Sequence, residues 1–120
     1  MTRILIADPD SASRKALALL LTRKLGVEII IEATEADSLS ALVKSTLPDV
    51  LLLDDCLPGL DLPETCQLLQ KAFPNLKIVL LSLDETAREN ATCCGIQFIH
   101  KGACMDETIS RLQTILGKIR

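Results

Sequence analysis

The sequence predicts an α/β fold, a doubly wound parallel sheet of five strands flanked by five helices. Three observations carry this. Short apolar runs alternate with segments of helical period along the whole chain. The runs within 3–7, 48–54 and 77–82 are nearly unbroken aliphatics, as strands are when helices cover both faces of a parallel sheet. The chain has 120 residues, 48% hydrophobic and 24% charged, enough to bury one core without staples.

The elements follow in order. "RILIA", 3–7, reads as a buried strand, and "DPDSAS" after it as turn and cap chemistry. "SRKALALLLTRKLG" then puts Leu17, Leu20, Leu21 and Leu25 on one helical face, with Gly26 as the stop. "VEIIIEA", 27–33, is β-branched and extended. Thr34 is placed to cap a helix over "EADSLSALVKSTL", whose stripe is Leu39, Leu42, Val43 and Leu47. Pro48 leads into the third strand, 48–54, and Pro58-Gly59 turns the chain into "LPETCQLLQKAF". Pro74-Asn75 ends that helix before "KIVLLS", 77–82. A short polar helix over "DETARENATCC" ends at Gly95, "IQFIHK" is the fifth strand, and "MDETISRLQTILGKI" closes the chain through Ile109, Leu112, Ile115 and Leu116. The leucine stripes are expected to be core.

Composition excludes several classes. Aromatics make up only 2%, with no Trp or Tyr, which argues against base-stacking platforms for single strands or RNA. A net charge of −3 speaks against a phosphate-backbone binder, so no direct nucleic-acid contact is expected. Five cysteines, at 56, 66, 93, 94 and 104, include no Cys-x-x-Cys, and the single His is not at ligand spacing from them. They read as reduced thiols, mostly small core fillers. "MTRILIADPD" has too short an apolar run for export or a membrane span, so the default expectation is a soluble, cytoplasmic protein.

In an open parallel sheet, right-handed crossovers put the binding site beyond the carboxyl ends of the strands. There this chain carries Asp8 and Asp10, Asp54 and Asp55, Ser82, and Lys101. Two carboxylates about 4 Å apart repel by about 4 kcal/mol at an effective dielectric near 20, so such a cluster needs a cation or a proton. Oxygen donors of this kind suit Mg²⁺. A carboxylate beside it can attack a phosphorus, and a hydroxyl and an ammonium suit the phosphate oxygens. Each residue also has a plainer reading: Asp54 as a turn, Asp8 and Asp10 as caps, Ser82 as the cap of the next helix, Lys101 as an exposed charge, Asp55 as solvated or paired with Lys101, and His100 as structural.

Asp8, then "LLLDDCLPGLD", "VLLS" and "FIHKGA", in order and at the usual spacing, resemble the receiver domain of two-component response regulators. The resemblance covers residues 1–120 as one receiver domain. It implies a flavodoxin-like sheet of strand order 2-1-3-4-5. It implies Asp54 as the phospho-acceptor, and Mg²⁺ held by Asp8, Asp54 and the Cys56 carbonyl, with Asp10 as a further candidate. Ser82 is then the switch hydroxyl, Lys101 the phosphate-pairing lysine, and Phe98 the aromatic that changes rotamer. A histidine kinase or phosphotransfer protein is the implied partner. The implied output or dimer face is the fourth helix, fifth strand and fifth helix. Such a module is a switch rather than an enzyme. Gly102-Ala103 after the lysine resembles receivers attached to helix-turn-helix outputs, so the segment reads as either free-standing or detached from a DNA-binding regulator. A flavin-binding member of this fold is disfavoured, since no Gly-rich loop follows the first strand.

The pattern breaks at a few places. Pro9 stands where the second metal-binding acid is usual. Proline offers no side-chain oxygen, and each charged hydrogen-bonding contact is worth about 1.5–3 kcal/mol. Leu83 replaces a small residue and is expected to narrow access to Asp54. Leu62, where Gly is usual, is expected to tilt the helix that starts there. These departures motivate the alternative, a degenerate receiver that acts without phosphate as an interaction or dimerisation module.

Overall fold

The alternating segments fold as five parallel strands with helices between them. The computed structural model describes residues 1–119. The order is β1 (Arg3–Ala7), α1 (Ser11–Leu25), β2 (Ile29–Ala33), a 3₁₀ turn (Ala36–Ser38) running into α2 (Leu39–Thr46), β3 (Val50–Asp54), α3 (Leu62–Ala72), β4 (Lys77–Ser82), α4 (Ala87–Cys93), β5 (Gln97–His100) and α5 (Met105–Gly117). The sheet runs β2-β1-β3-β4-β5, the order that the resemblance implies.

Alternation along the strands builds two cores. Leu5, Ala7, Leu51, Leu53, Leu80 and Phe98 face one side and pack with Leu39, Val43, Leu69, Ala87 and Ala91 of α2, α3 and α4. Ile4, Ile6, Val50, Leu52, Val79, Leu81 and Ile99 face the other and pack with Leu21, Leu25, Leu112, Ile115 and Leu116 of α1 and α5. The chain leaves β1 toward one edge and β3 toward the other. The crossovers therefore reverse between β1 and β3, and their carboxyl ends open a crevice.

Local chemistry sets the ends of the elements. Gly26 takes a left-handed conformation (φ 65°), and the N–H groups of Gly26 and Val27 close on the Leu21 carbonyl. Asp61 caps α3 by accepting the Glu64 N–H at 3.1 Å, and Leu62 is the first residue of the helix. Gly102 lies so close to the His100 ring that a Cβ would come within 2.7 Å of it, which accounts for a glycine there. The histidine is structural: its Nδ1 accepts the Gly102 N–H at 2.9 Å.

Several expectations need correction. Thr34 caps nothing: the 3₁₀ turn has Glu35 at its N-cap position, without a side-chain bond, and the expected single helix is split into a 3₁₀ turn and α2. Leu47 is not core. It is 61% exposed and ends α2 in a left-handed conformation at φ 49°. The β2 strand starts at Ile29 rather than Val27, which is buried beside Leu21 and Leu25. The polar helix is only Ala87–Cys93, because Asp84–Thr86 forms a turn held by the Asp84 carboxylate. The cysteines are not mostly core fillers: among them only Cys66 is buried, Cys94 is half-buried and the rest are exposed. Burial, with the neighbouring Cys94, pushes the Cys66 thiol up to about 12.

Leu47 gives the first expected outcome. Its left-handed backbone strains a residue with a Cβ and buries little in return. Leu47→Gly should raise stability by about 0.5–1 kcal/mol, the strain relief exceeding the added freedom of the unfolded chain. Urea unfolding of the two proteins checks it.

Candidate functional site

Four strand ends carry the same turn. The side chain of the residue that closes or follows the strand accepts the backbone N–H two residues on: Asp8 Oδ1 from Asp10 at 2.8 Å, Asp54 Oδ1 from Cys56 at 2.8 Å, Ser82 Oγ from Asp84 at 2.9 Å, and His100 Nδ1 from Gly102. The turn reading of the two aspartates therefore does not exclude the site reading. One carboxylate oxygen stabilises the turn and the other is aimed into the crevice.

Lys101 closes the crevice. Its Nζ donates to Asp8 Oδ2 at 2.9 Å and to Asp54 Oδ2 at 2.5 Å. Asp8 and Asp54 are only 2% and 4% exposed. Burial favours the neutral acid at Asp8, but the Asp10 N–H and the Lys101 and Ser13 hydrogen bonds together hold its pKa below the usual carboxylate value. Burial likewise works against the Lys101 charge, and the two carboxylates outweigh it, so its pKa is raised. No buried side-chain nitrogen or oxygen among the described residues lacks a hydrogen-bond partner.

Ser82, 1% exposed, is on the same rim, and its carbonyl accepts the Lys101 N–H at 2.8 Å. Its hydroxyl, however, donates to Asp55 Oδ2 at 2.7 Å. Asp55 is thus neither merely solvated nor paired with Lys101. Asp10 occupies the N-cap position of α1 but makes no side-chain cap bond, and its side chain is exposed. Phe98 is buried on the α4 side of the sheet, with the Arg88 guanidinium 4.7 Å above its ring. Leu83 is 71% exposed and stands at the outer rim near Gly102.

Sequence reasoning missed Arg14. Its Nη1 donates to the Asp8 carbonyl at 2.8 Å and its Nε pairs with Glu32, so it fixes the end of β1 from α1. Nothing in its spacing singles it out. Asp55 was visible beside Asp54, but its pairing with a residue 27 positions away was not.

The donor set fits a hard divalent cation. Two buried carboxylates share one monovalent ammonium, and Asp55 adds a third acid beside them. Ligand atoms of Asp54, Asp55 and Cys56 lie within 4.8 Å of one another. The Cys56 sulfur is a poor part of that set: the Asp55 charge first, then burial and Asp54, raises its pKa and keeps it a thiol. The hard oxygens are what suit Mg²⁺.

Residues 4–113 match the family model of the response regulator receiver domain. The chain belongs to the response regulator receiver family. Receivers are the signal-accepting modules of two-component systems. This receiver is 28% identical to the response regulator MprA of Mycobacterium avium over 122 residues, 98% of the chain and 52% of the relative. It is 25% identical to the transcriptional regulatory protein YxjL of Bacillus subtilis, over 92% of the chain and 52% of the relative. The chain spans about half the length of the curated relatives it matches. A crystal structure described as a response regulator from Chloroflexus aurantiacus matches with a TM-score of 0.84 and 26% identity, over 97% of this chain and 98% of that one. A LuxR-family response regulator from Aurantimonas has the same fold, with a TM-score of 0.86 at 22% identity, over 98% of this chain and 87% of that one. Among the described residues of the receiver, no helix is long and apolar enough to cross a membrane.

The shared ammonium sets the pH behaviour of the rim. The depressed Asp8 pKa contributes stability that is present above its ordinary 3.8 and is lost as pH falls through the lower folded value. The raised Lys101 pKa contributes stability that is present below 10.5 and is lost as pH rises through the higher folded value. Lys101→Met should therefore cost about 2–4 kcal/mol at pH 7, discounted from a fully buried pair because the lysine is partly exposed. The deficit should shrink toward pH 4, as Asp8, with burial no longer opposed by the ammonium, takes up a proton. Denaturant unfolding of both proteins from pH 4 to pH 9 reads it, and a deficit that does not vary with pH contradicts it.

Proposed function

We propose that this receiver accepts a phosphoryl group on Asp54 and uses it to reshape the face formed by α4, β5 and α5. The observation that supports this most is the single Lys101 ammonium shared by the buried Asp8 and Asp54. It marks a crevice that keeps two acids and a cation in place, at the point where the crossovers reverse.

The steps follow from the groups present. The Cys56 N–H holds Asp54 Oδ1, which fixes the carboxylate plane and leaves Oδ2 as the attacking oxygen. An O–P bond forms there as the bond from phosphorus to the donor breaks, and the donor, a kinase phosphohistidine or a small acyl phosphate, keeps the electron pair. Lys101 moves from the carboxylate to a phosphoryl oxygen. Asp8, Asp54 and the Cys56 carbonyl are the residues that would hold Mg²⁺, and Pro9 supplies no side-chain ligand. Bound there, the ion neutralises negative charge on the carboxylates and the phosphoryl oxygens. The added dianion then attracts the Ser82 hydroxyl, and Phe98, packed under Arg88, lies between that event and the α4–β5 surface. The partners are a histidine kinase or phosphotransfer protein and, through the α4–β5–α5 face, an output module or a second copy. Likeness to the transcriptional regulatory protein YxjL supports a part in the regulation of transcription.

Acetyl phosphate with Mg²⁺ should add one phosphoryl group by intact mass, and Asp54→Asn should abolish it. No adduct, or one that survives Asp54→Asn, refutes the reading. Pro9→Asp restores a carboxylate and should tighten Mg²⁺ by about tenfold or more, since a charged contact is worth about 1.5–3 kcal/mol. Titration calorimetry measures it. Magnesium binding absent from the natural chain and gained in Pro9→Asp would favour the phosphate-independent module instead.

A further inference from the structure

Ser82 stands beside the Asp54–Lys101 pair, yet its hydroxyl proton goes elsewhere. A serine hydroxyl has one proton to donate. Here it is given to Asp55 Oδ2 at 2.7 Å, while the oxygen accepts the Asp84 N–H at 2.9 Å. Given to Asp55, it cannot also reach an oxygen on Asp54. We propose that Asp55 is a positioning residue, a latch whose carboxylate holds the Ser82 hydroxyl until a stronger acceptor appears on Asp54. The proposal rests on Asp54 being the phosphoryl acceptor.

The latch is anchored on both sides. The Asp55 N–H donates to the Leu81 carbonyl at 3.1 Å, so its backbone is fixed across the end of β4. Its second oxygen takes the Cys56 thiol at 3.6 Å. On the far side, Asp84 Oδ1 accepts both the N–H and the hydroxyl of Thr86, at 2.9 and 2.7 Å, just ahead of α4. A chain of hydrogen bonds thus runs from Asp55 through Ser82 and Asp84 to the start of α4. Turning the Ser82 side chain toward Asp54 breaks the first link and pulls on the second.

Charge makes the latch responsive to the event it guards. A phosphoryl group on Asp54 brings a charge of about −1.5 to −2 next to the Asp55 carboxylate. That charge repels Asp55 and offers Ser82 an ionised acceptor in its place. The same group opens the old bond and makes the new one, and the strength of the Asp55 bond sets how much is needed.

Beryllofluoride with Mg²⁺ is the probe, read by titration and by backbone amide spectra of labelled protein. Asp55→Ala should lower the half-saturating beryllofluoride about tenfold, the scale of a charged hydrogen bond. In a Ser82→Ala background the same change should gain about threefold or less, because only through-space repulsion is left to remove. Equal gains in both backgrounds overturn the latch. Asp55→Asn keeps the shape and an acceptor oxygen and should give an intermediate gain, which guards against an Ala variant that folds poorly. In the free protein, Asp55→Ala should shift the Asp84 amide and speed its hydrogen exchange; an Asp84 amide that ignores the substitution overturns the latch whatever beryllofluoride does. If the natural chain forms no adduct at all, the role of Asp54 fails and the Asp84 amide still decides the latch.

Discussion

The rim is held by one ammonium that reaches across the sheet. Asp8 and Asp54 sit on adjacent strands, but Lys101 follows β5, which is two strands from β3. Neighbouring strands lie about 4.8 Å apart, so the lysine must lie nearly flat over the end of β4 to reach both acids. What stands at the end of β4 is Ser82, whose side chain is short. A bulky side chain there would stand in the path. Without the lysine, two buried carboxylates would face each other at a cost of about 4 kcal/mol, and one would have to take a proton. Strand order, a small residue on the intervening strand and a long cation on the outer one are therefore one requirement, met by parts far apart in the chain.

The two-core architecture is what keeps this arrangement rigid. Each central strand contributes alternate side chains to opposite helical layers, so neither layer can shift without moving the strand ends. Arg14 adds a local brace from α1, tying the Asp8 carbonyl and Glu32 of the neighbouring strand. The polar groups of the rim thus hang on backbone that is over-determined, whereas α4 is short and follows a polar turn. The turn of Asp84 and Thr86 lies between the rigid rim and that shorter helix, where a small displacement has room to grow.

Much of this was legible because strand and helix periods differ and because burial on both faces leaves a plain aliphatic signature. "RILIA", "VLLL" and "KIVLLS" could be little else. The rim was legible because Asp, Ser and Lys at successive strand ends are costly to place there without a partner. What failed was local. Thr34 has the chemistry of a cap, but the chain enters α2 through a 3₁₀ turn that does not use it. Leu47 keeps the helical spacing, yet it is the residue before Pro48, and the helix has already ended at Thr46. The Ser82–Asp55 bond joins two strands and depends on which rotamer each side chain takes. No period in the sequence encodes that.

Pro9 places a backbone constraint at a position whose side chain carries no oxygen. It lies inside the turn in which Asp8 Oδ1 accepts the Asp10 N–H. Proline fixes φ near −65°, which suits the central position of such a turn, and it has no N–H to leave unpaired. An acid at this position would add a charge and leave φ less restricted between Asp8 and Asp10. Proline removes the charge and pre-sets the turn that aims Asp8 Oδ2 at Lys101. The Lys101 ammonium meets two carboxylates there, those of Asp8 and Asp54. That pairing and the Asp55–Ser82 bond together give each acid of the rim a donor.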